Sequence, residues 1–311
     1  MPDCTVIILT YKGKHHLEHL LPTVKDAIEV TSEYDIDVLI VDNGRDEATK
    51  NFVIKNYPSY QYIFSPVNDY LFSLNSYIKR IKSEFVLILN DDLKLTSSVF
   101  KESIPLLKQD DQLFAVTAKI YNWDGVGVQN GVRQLKLKKG WVESFWIFED
   151  ISDVRYTFYA SGGAGLFRVK YFNDLNGFDD IFRPAYIEEV DLSHRAWHRG
   201  WRTIYNPKFK VFHRDAGTIS TQFKSSEVAQ MFYRNFFLWQ FKSMNSGVFW
   251  IQFLIKLPFR YIYWLLKSKN LAIGFNKALG SLHLINKNKK RVKTISDCEI
   301  INYINTPYKT K

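Results

Sequence analysis

The chain predicts an α/β fold: a Rossmann-like, mostly parallel sheet followed by a helical, basic and aromatic appendage at the C-terminal end. Three observations predict it. Short apolar runs alternate with helical spacing over the first hundred residues, the run Phe85-Val-Leu-Ile-Leu89 ends in Asn90-Asp91-Asp92, and charge is unevenly divided along the 311 residues. Strands of a parallel sheet are covered on both faces, so they read as continuous hydrophobic runs, and ligands of open α/β sheets sit beyond the carboxyl ends of the strands.

The elements follow in order. Thr5-Val-Ile-Ile-Leu9 is a first strand, residues 13–31 have helical apolar spacing, and Ile36-Asp-Val-Leu-Ile-Val41 is a second strand ending in Asp42-Asn43-Gly44. A helix over 46–57, a weaker strand over 60–64, a helix over 71–81 and the strand 85–89 complete the half. Parallel strands joined by right-handed crossovers are the expected result. Residues 115–157 loosen around Gly125, Gly127, Gly131 and Gly140 and predict irregular strands and loops. In Ala160-Ser-Gly-Gly-Ala-Gly-Leu-Phe-Arg168 the glycines permit close backbone approach before regular structure resumes.

Composition bounds the class. With 46% hydrophobic and 16% aromatic residues the chain buries a large core, which excludes global disorder. Cys4 and Cys298 have no metal-type spacing, and the first residues lead directly into a strand, so a reducing, cytoplasmic setting is expected. The net charge of +10 belongs to one segment. Between Val228 and Ser296 there are twelve Lys or Arg and no Asp or Glu, which leaves 30 basic against 32 acidic residues elsewhere.

Asp91 and Asp92 stand at the sheet edge where a ligand would lie. Adjacent carboxylates repel unless a cation neutralises them, and hard oxygen donors suit a divalent ion that also binds phosphate. A metal-bridged nucleoside diphosphate fits that edge; solvation of a turn is the plainer alternative.

Further segments fall into a set with this pair: Ile7-Ile-Leu-Thr-Tyr11, Val41-Asp-Asn-Gly44, Asn68 to Asn75, Asn176-Gly-Phe-Asp179, Glu188-Glu-Val-Asp-Leu-Ser-His-Arg195 and Val211-Phe-His213. Over residues 5–220 the chain resembles the family 2 glycosyltransferases of the GT-A, nucleotide-diphospho-sugar transferase fold. The resemblance implies that Thr10 and Tyr11 contact the donor nucleotide and that Asp42 binds the base, although Asp42 equally suits a turn. It places Asn68, Asn75 and Asp91 near the donor, and Asp92 with His213 at a Mg²⁺ or Mn²⁺ ion. Glu189 takes the position of the base that deprotonates the acceptor hydroxyl, with Glu188 or Asp191 as alternatives. The resemblance implies a single in-line displacement with inversion, and addition of one sugar is expected because the downstream Gln-x-x-Arg-Trp motif and the several transmembrane helices of processive relatives are missing.

The expected division is a catalytic domain over 1–222, with a nucleotide-binding half to 95 and an acceptor half beyond, and a helical segment over 223–311. In that segment Gln252, Lys256, Arg260, Tyr263 and Lys267 form one helical stripe, and Pro258 predicts a kink or a second helix start. The longest charge-free run, residues 243–255, is too short to span a bilayer, which needs roughly 20 residues. The segment therefore suits an anionic membrane surface, extended by Lys287, Lys289, Lys290, Arg291 and Lys293, or packing against a second subunit as a homo-oligomer. No nucleic acid partner is expected. The composite expectation is a peripheral enzyme on the inner face of the cell membrane, moving sugar from a nucleotide-diphosphate sugar to a lipid-linked saccharide. A nucleotidyltransferase and a silent membrane-bound scaffold are the alternatives.

Overall fold

The computed structural model describes residues 1–147, 149–214, 223–285 and 295–309. The boundary expected at residue 222 and the basic cluster from Lys287 to Lys293 lie outside the described residues.

β1 (Cys4–Thr10), β2 (Ile36–Asp42), β3 (Gln61–Phe64) and β4 (Phe85–Asn90) form parallel ladders in the spatial order β3-β2-β1-β4. β1 and β4 are apolar and buried on both faces, as central strands must be. α1 (Lys14–Glu29) covers the sheet with Leu17, Leu20, Leu21, Val24 and Ala27, one stripe at helical spacing. α2 (Glu47–Asn56) is capped by Asp46, which accepts from the Thr49 amide. The helix expected over 71–81 is shorter: a 3₁₀ turn at Tyr70–Ser73 leads into α3 (Leu74–Ile78).

Past β4 the ladder becomes mixed. The short β5 (Leu93–Leu95) and α4 (Val99–Gln109) lead to β6 (Leu113–Asn122), and the full sheet order is β10-β12-β6-β11-β4-β1-β2-β3. Here β10 is Arg155–Tyr156, β11 is Ala164–Arg168 and β12 is Arg202–His213; β11 runs antiparallel to both β4 and β6. β6 corrects the expectation of irregular structure from residue 115. Its polar residues are buried rather than looped out, because Thr117 Oγ1 meets Arg133 Nη1 and the Ser161 amide, and Lys119 pairs with Asp150. β7 (Val128–Asn130) pairs with the end of β6, and β8 (Arg133–Leu137) with β9 (Val142–Trp146) forms a separate hairpin. α5 (Val169–Asp174) and α6 (Glu188–His198) pack beside the sheet.

Among the described residues four α-helices follow: α7 (Ser225–Ser243), α8 (Gly247–Lys267), α9 (Lys269–Gly280) and α10 (Asp297–Ile304). α8 runs through Pro258 without a break, contrary to the expected kink or restart. The carbonyl that loses its partner belongs to Leu254, on the exposed side of the helix. No helix among the described residues is long and apolar enough to cross a membrane.

α7 grips the sheet domain through a buried ion cluster. Lys242 Nζ donates to Asp191 Oδ1 at 2.6 Å and to Asp179 Oδ2 at 2.7 Å, while Arg195 Nε donates to Asp191 Oδ2 at 2.6 Å. Burial opposes the charge on Asp191, but Arg195 and Lys242 outweigh it and hold the carboxyl down at about 2. Such a depressed group contributes stability that is complete above the ordinary carboxylate range and is lost as pH falls through the folded value. Denaturant titrations between pH 5 and pH 2 should therefore show on the order of 2–3 kcal/mol lost below about pH 4 from this carboxyl. Lys242→Met should cost about 3 kcal/mol at neutral pH, because it strips a partner from buried acids.

Candidate active site

Strand register assembles the first wall. Leu9 of β1 lies opposite Asn90 of β4, so the residues that follow, Thr10 and Asp91, meet beyond the strand ends, where Thr10 Oγ1 donates to Asp91 Oδ2 at 2.5 Å. Burial, with the Asp92 charge added, pushes Asp91 up to about 7. Gly13, which precedes α1, has no side chain because a Cβ there would run into Asp91 Oδ2 and Thr10 Oγ1. The cavity beyond has a volume of about 380 Å³ and is lined by Thr10, Tyr11, Asn68, Asp91, Asp92 and Glu188, together with Asn43, Tyr70 and Tyr186.

Pairing of β5 with β12 sets Leu93 opposite His213, which brings Asp92 and His213 together: His213 Nε2 lies 3.3 Å from Asp92 Oδ2. His213 Nδ1 lies 2.7 Å from Gln129 Oε1 on β7. An amide oxygen only accepts, so Nδ1 carries a proton, and in the neutral ring Nε2 then has its lone pair on the side of the carboxylate, the tautomer that ligates a metal. Asp92 Oδ1 is buried with no hydrogen-bond partner among the described residues. Two acceptors facing each other beside an orphaned oxygen fit a divalent cation, and the mixed oxygen and imidazole set suits Mn²⁺ better than Mg²⁺.

A second cluster fails the same test. His194, His198 and Asp297 converge within 4.8 Å, all buried. Trp239 Nε1 donates to His194 Nδ1 at 3.2 Å, and an indole N–H can only donate. His194 Nε2 therefore bears the proton and donates to Asp297 Oδ1, at 3.1 Å, as His198 Nε2 does at 2.8 Å. This is a hydrogen-bonded pin joining α10 to α6, with no lone pair on His194 left for a metal.

The opposite wall is the start of α6. Glu188, Glu189 and Asp191 all lie in its first turn. Tyr186 and Ile187 have φ of 74° and 75°, strained for non-glycine residues and most of all for a β-branched one. Asn235 of α7 holds that backbone, its Nδ2 donating to the carbonyls of Phe182, Ala185 and Tyr186 at 2.5–3.0 Å. Burial and the neighbouring Glu189 charge raise Glu188 well above the ordinary range, and its Oε2 has no hydrogen-bond partner among the described residues. Burial raises Glu189 as well, but the fully buried Arg133 guanidinium draws it back.

Three expected site residues are engaged elsewhere. Asp191 is turned into the ion cluster with Lys242 and Arg195, so it does not face the cavity as an alternative base. Asn75 clips the Phe178 backbone, with Nδ2 donating to its carbonyl at 2.8 Å and Oδ1 accepting its amide at 2.9 Å. Asp42 accepts from the Gly44 and Asp46 amides and from the Tyr62 hydroxyl, which favours its loop-shaping role over base binding. Gln129, Arg133, Tyr186 and Asn235 were missed; Asn43 and Tyr70 stood inside segments singled out from sequence but were not named as site residues.

A profile of glycosyl transferase family 2 matches residues 5–175. The N-acetylglucosaminyl-diphospho-decaprenol L-rhamnosyltransferase of Mycobacterium tuberculosis is 24% identical over 238 residues, 68% of this chain and 76% of that protein. Glucomannan 4-beta-mannosyltransferase 2 of Arabidopsis thaliana is 25% identical over 42% of this chain and 23% of its own length. Among solved structures, GalNAc-T7 with UDP, GalNAc and Mn²⁺ superposes with a TM-score of 0.60 at 10% identity, covering 80% of this chain and 49% of that one. S. aureus TarS 1–349 superposes with a TM-score of 0.55 at 13% identity, covering 90% and 80%. Both neighbours share the fold.

The imidazole geometry sets an expected outcome for cation binding. Calorimetric titration with Mn²⁺ should show no binding to Asp92→Ala and roughly 10- to 100-fold weaker binding to Gln129→Leu, which leaves both ligands in place but frees the tautomer. His194→Asn should bind as the parent does.

Proposed function

Because the chain belongs to glycosyl transferase family 2, we propose that it moves one sugar, with inversion, from a nucleoside-diphosphate sugar to a hydroxyl of a lipid-linked saccharide. The observation that supports this most directly is one cavity with the Asp92 carboxylate on one wall and the start of α6 on the other. The donor pyrophosphate suits the edge at Thr10, Tyr11 and Asp92, with Asn68, Tyr70 and Asn43 around the nucleoside or sugar. Asp92 and His213 would hold Mn²⁺ or Mg²⁺, which supplies charge neutralisation to the leaving diphosphate.

The acceptor needs a base, because an alcohol must lose its proton as it attacks the anomeric carbon. Glu188 faces the donor cavity, whereas Glu189 lies beside Gly162, 3.6 Å from where that residue's Cβ would be, and within the field of Arg133. A buried carboxylate pair cannot easily carry two charges. Arg133 favours the charged form of Glu189, so Glu189 takes the proton from the acceptor and Glu188 keeps its own. The acceptor class takes its support from the mycobacterial relative, whose name specifies a lipid-diphosphate-linked substrate. It would place the enzyme as a peripheral protein at an anionic inner membrane face, in cell-surface polysaccharide assembly.

Thermal-shift screening of nucleotide sugars with and without Mn²⁺ tests donor binding; no shift with any of them would sink the reading. With a donor in hand, release of nucleoside diphosphate is the readout. Glu189→Gln should slow it roughly 100- to 10,000-fold with the fold retained, and by more than Glu188→Gln does. Because the base is raised by burial, activity should fall on the acid side above the usual glutamate range of about 4.3. Arg133→Met should move that limb to higher pH, since the cation that favours the carboxylate is gone.

A further inference from the structure

α8 is apolar on both of its faces. Phe249, Phe253 and Trp264 are buried, Phe253 against Phe241 of α7 and Trp264 against Phe237 of α7 and Phe275 of α9. Ile251, Leu254, Ile255, Phe259, Ile262 and Leu266 point the other way and are 58–77% exposed. At about 100° per residue these six fall within an arc of about 140°. A helix hydrophobic all round belongs in a buried setting, and a contiguous exposed patch of this kind marks a site of association.

The edge of the patch identifies what covers it. Lys256, Arg260 and Lys267 stand along one side of the apolar arc, and Lys139 at the turn of the β8–β9 hairpin joins them. Partial desolvation and repulsion from Lys139 and Arg260 lower Lys256, so the three cations are close neighbours. None of them has a carboxylate within salt-bridge distance among the described residues, and residues 228–296 contain no acid at all. A second copy docked face to face would present no countercharge from this segment. Anionic lipid supplies both countercharge and apolar volume. α8 has 21 residues, but with Lys256, Arg260 and Lys267 along it the helix is not apolar enough to cross a bilayer, which leaves it in the interfacial plane.

The patch is mechanically joined to the acceptor side. Arg260 Nη1 donates to the Gly140 carbonyl at 2.9 Å and Nη2 to the Lys139 carbonyl at 3.0 Å. Gly140, with φ of +71°, lies so close to the Phe253 backbone that no side chain fits between them. The other end of β8 is Arg133, whose charge acts on Glu189. We propose that the Ile251–Leu266 face of α8 inserts into the interface of an anionic bilayer, and that the β8–β9 hairpin fixed to it holds the acceptor side of the site against the lipid surface. The partner deepens the lipid-linked reading above and rests on it.

Flotation of the full chain with vesicles tests it. The parent should float with phosphatidylcholine vesicles containing phosphatidylglycerol, be released by salt, and float poorly with phosphatidylcholine alone. Ile255→Asp with Phe259→Asp should reduce flotation about tenfold, and Lys139→Gln with Lys256→Gln should abolish the preference for anionic lipid. Both variants should keep the parent's melting temperature and its thermal shift with donor, since Lys139, Ile255 and Phe259 are exposed, Lys256 is half-buried, and none of the four lines the cavity. Equal flotation of the parent and the aspartate variant would overturn the inference. So would a concentration-dependent dimer, seen by light scattering without vesicles and lost in that variant, because a second copy would then cover the face. Absence of any donor shift in the parent speaks against the transferase reading and leaves the vesicle result standing.

Discussion

Lys242 is buried between Asp179 and Asp191, and through that pair the C-terminal helices hold the segment carrying the two glutamates. Asp191 lies within the first turn of α6, so pinning its carboxylate fixes the helix start on which Glu188 and Glu189 stand. Asn235, two helical turns earlier on α7, holds the strained backbone at Tyr186 and Ile187. Left-handed conformations at a tyrosine and a β-branched residue persist only when the surroundings over-determine them. α7 is that surrounding. It acts as part of the acid-bearing wall, although its sequence reads as the beginning of an appendage.

Two histidine environments show how one hydrogen bond assigns a role. At His213 an amide oxygen occupies Nδ1, and the neutral ring has its lone pair on the side of Asp92. At His194 an indole N–H occupies Nδ1, and the ring turns a proton toward Asp297. Both rings sit near a carboxylate; only the first is arranged to share a cation with it. Burial amplifies the difference, since an unpaired polar atom costs more in a low-dielectric interior.

The paired glutamates follow similar electrostatics. Burial raises both, mutual repulsion raises Glu188 further, and Arg133 acts on Glu189. Arg133 begins the strand whose far end is fastened to α8, so the charge beside the two glutamates and the apolar face of the molecule lie at two ends of one hairpin.

The parallel half was legible in sequence because its strands are covered on both faces and its helices repeat at 3.6 residues, and both are local patterns. The same locality located Asp91 and Asp92 at a strand end and the acids before His194. It misjudged β6, where Thr117 and Lys119 look like loop residues until Arg133, Ser161 and Asp150 arrive from distant segments to pair them. Asn75, Asp42 and Asp191 have the residue type of ligand-binding groups, and only their tertiary partners show them committed to backbone or ion pairs. The sequence by itself determined the α/β class, the edge that bears the carboxylates and the basic C-terminal segment. Tertiary structure decided which acids face the cavity, which histidine can share a cation and which face of α8 is left uncovered. Each of those depends on a hydrogen bond or contact between residues far apart in the chain, and such pairing leaves no periodic trace.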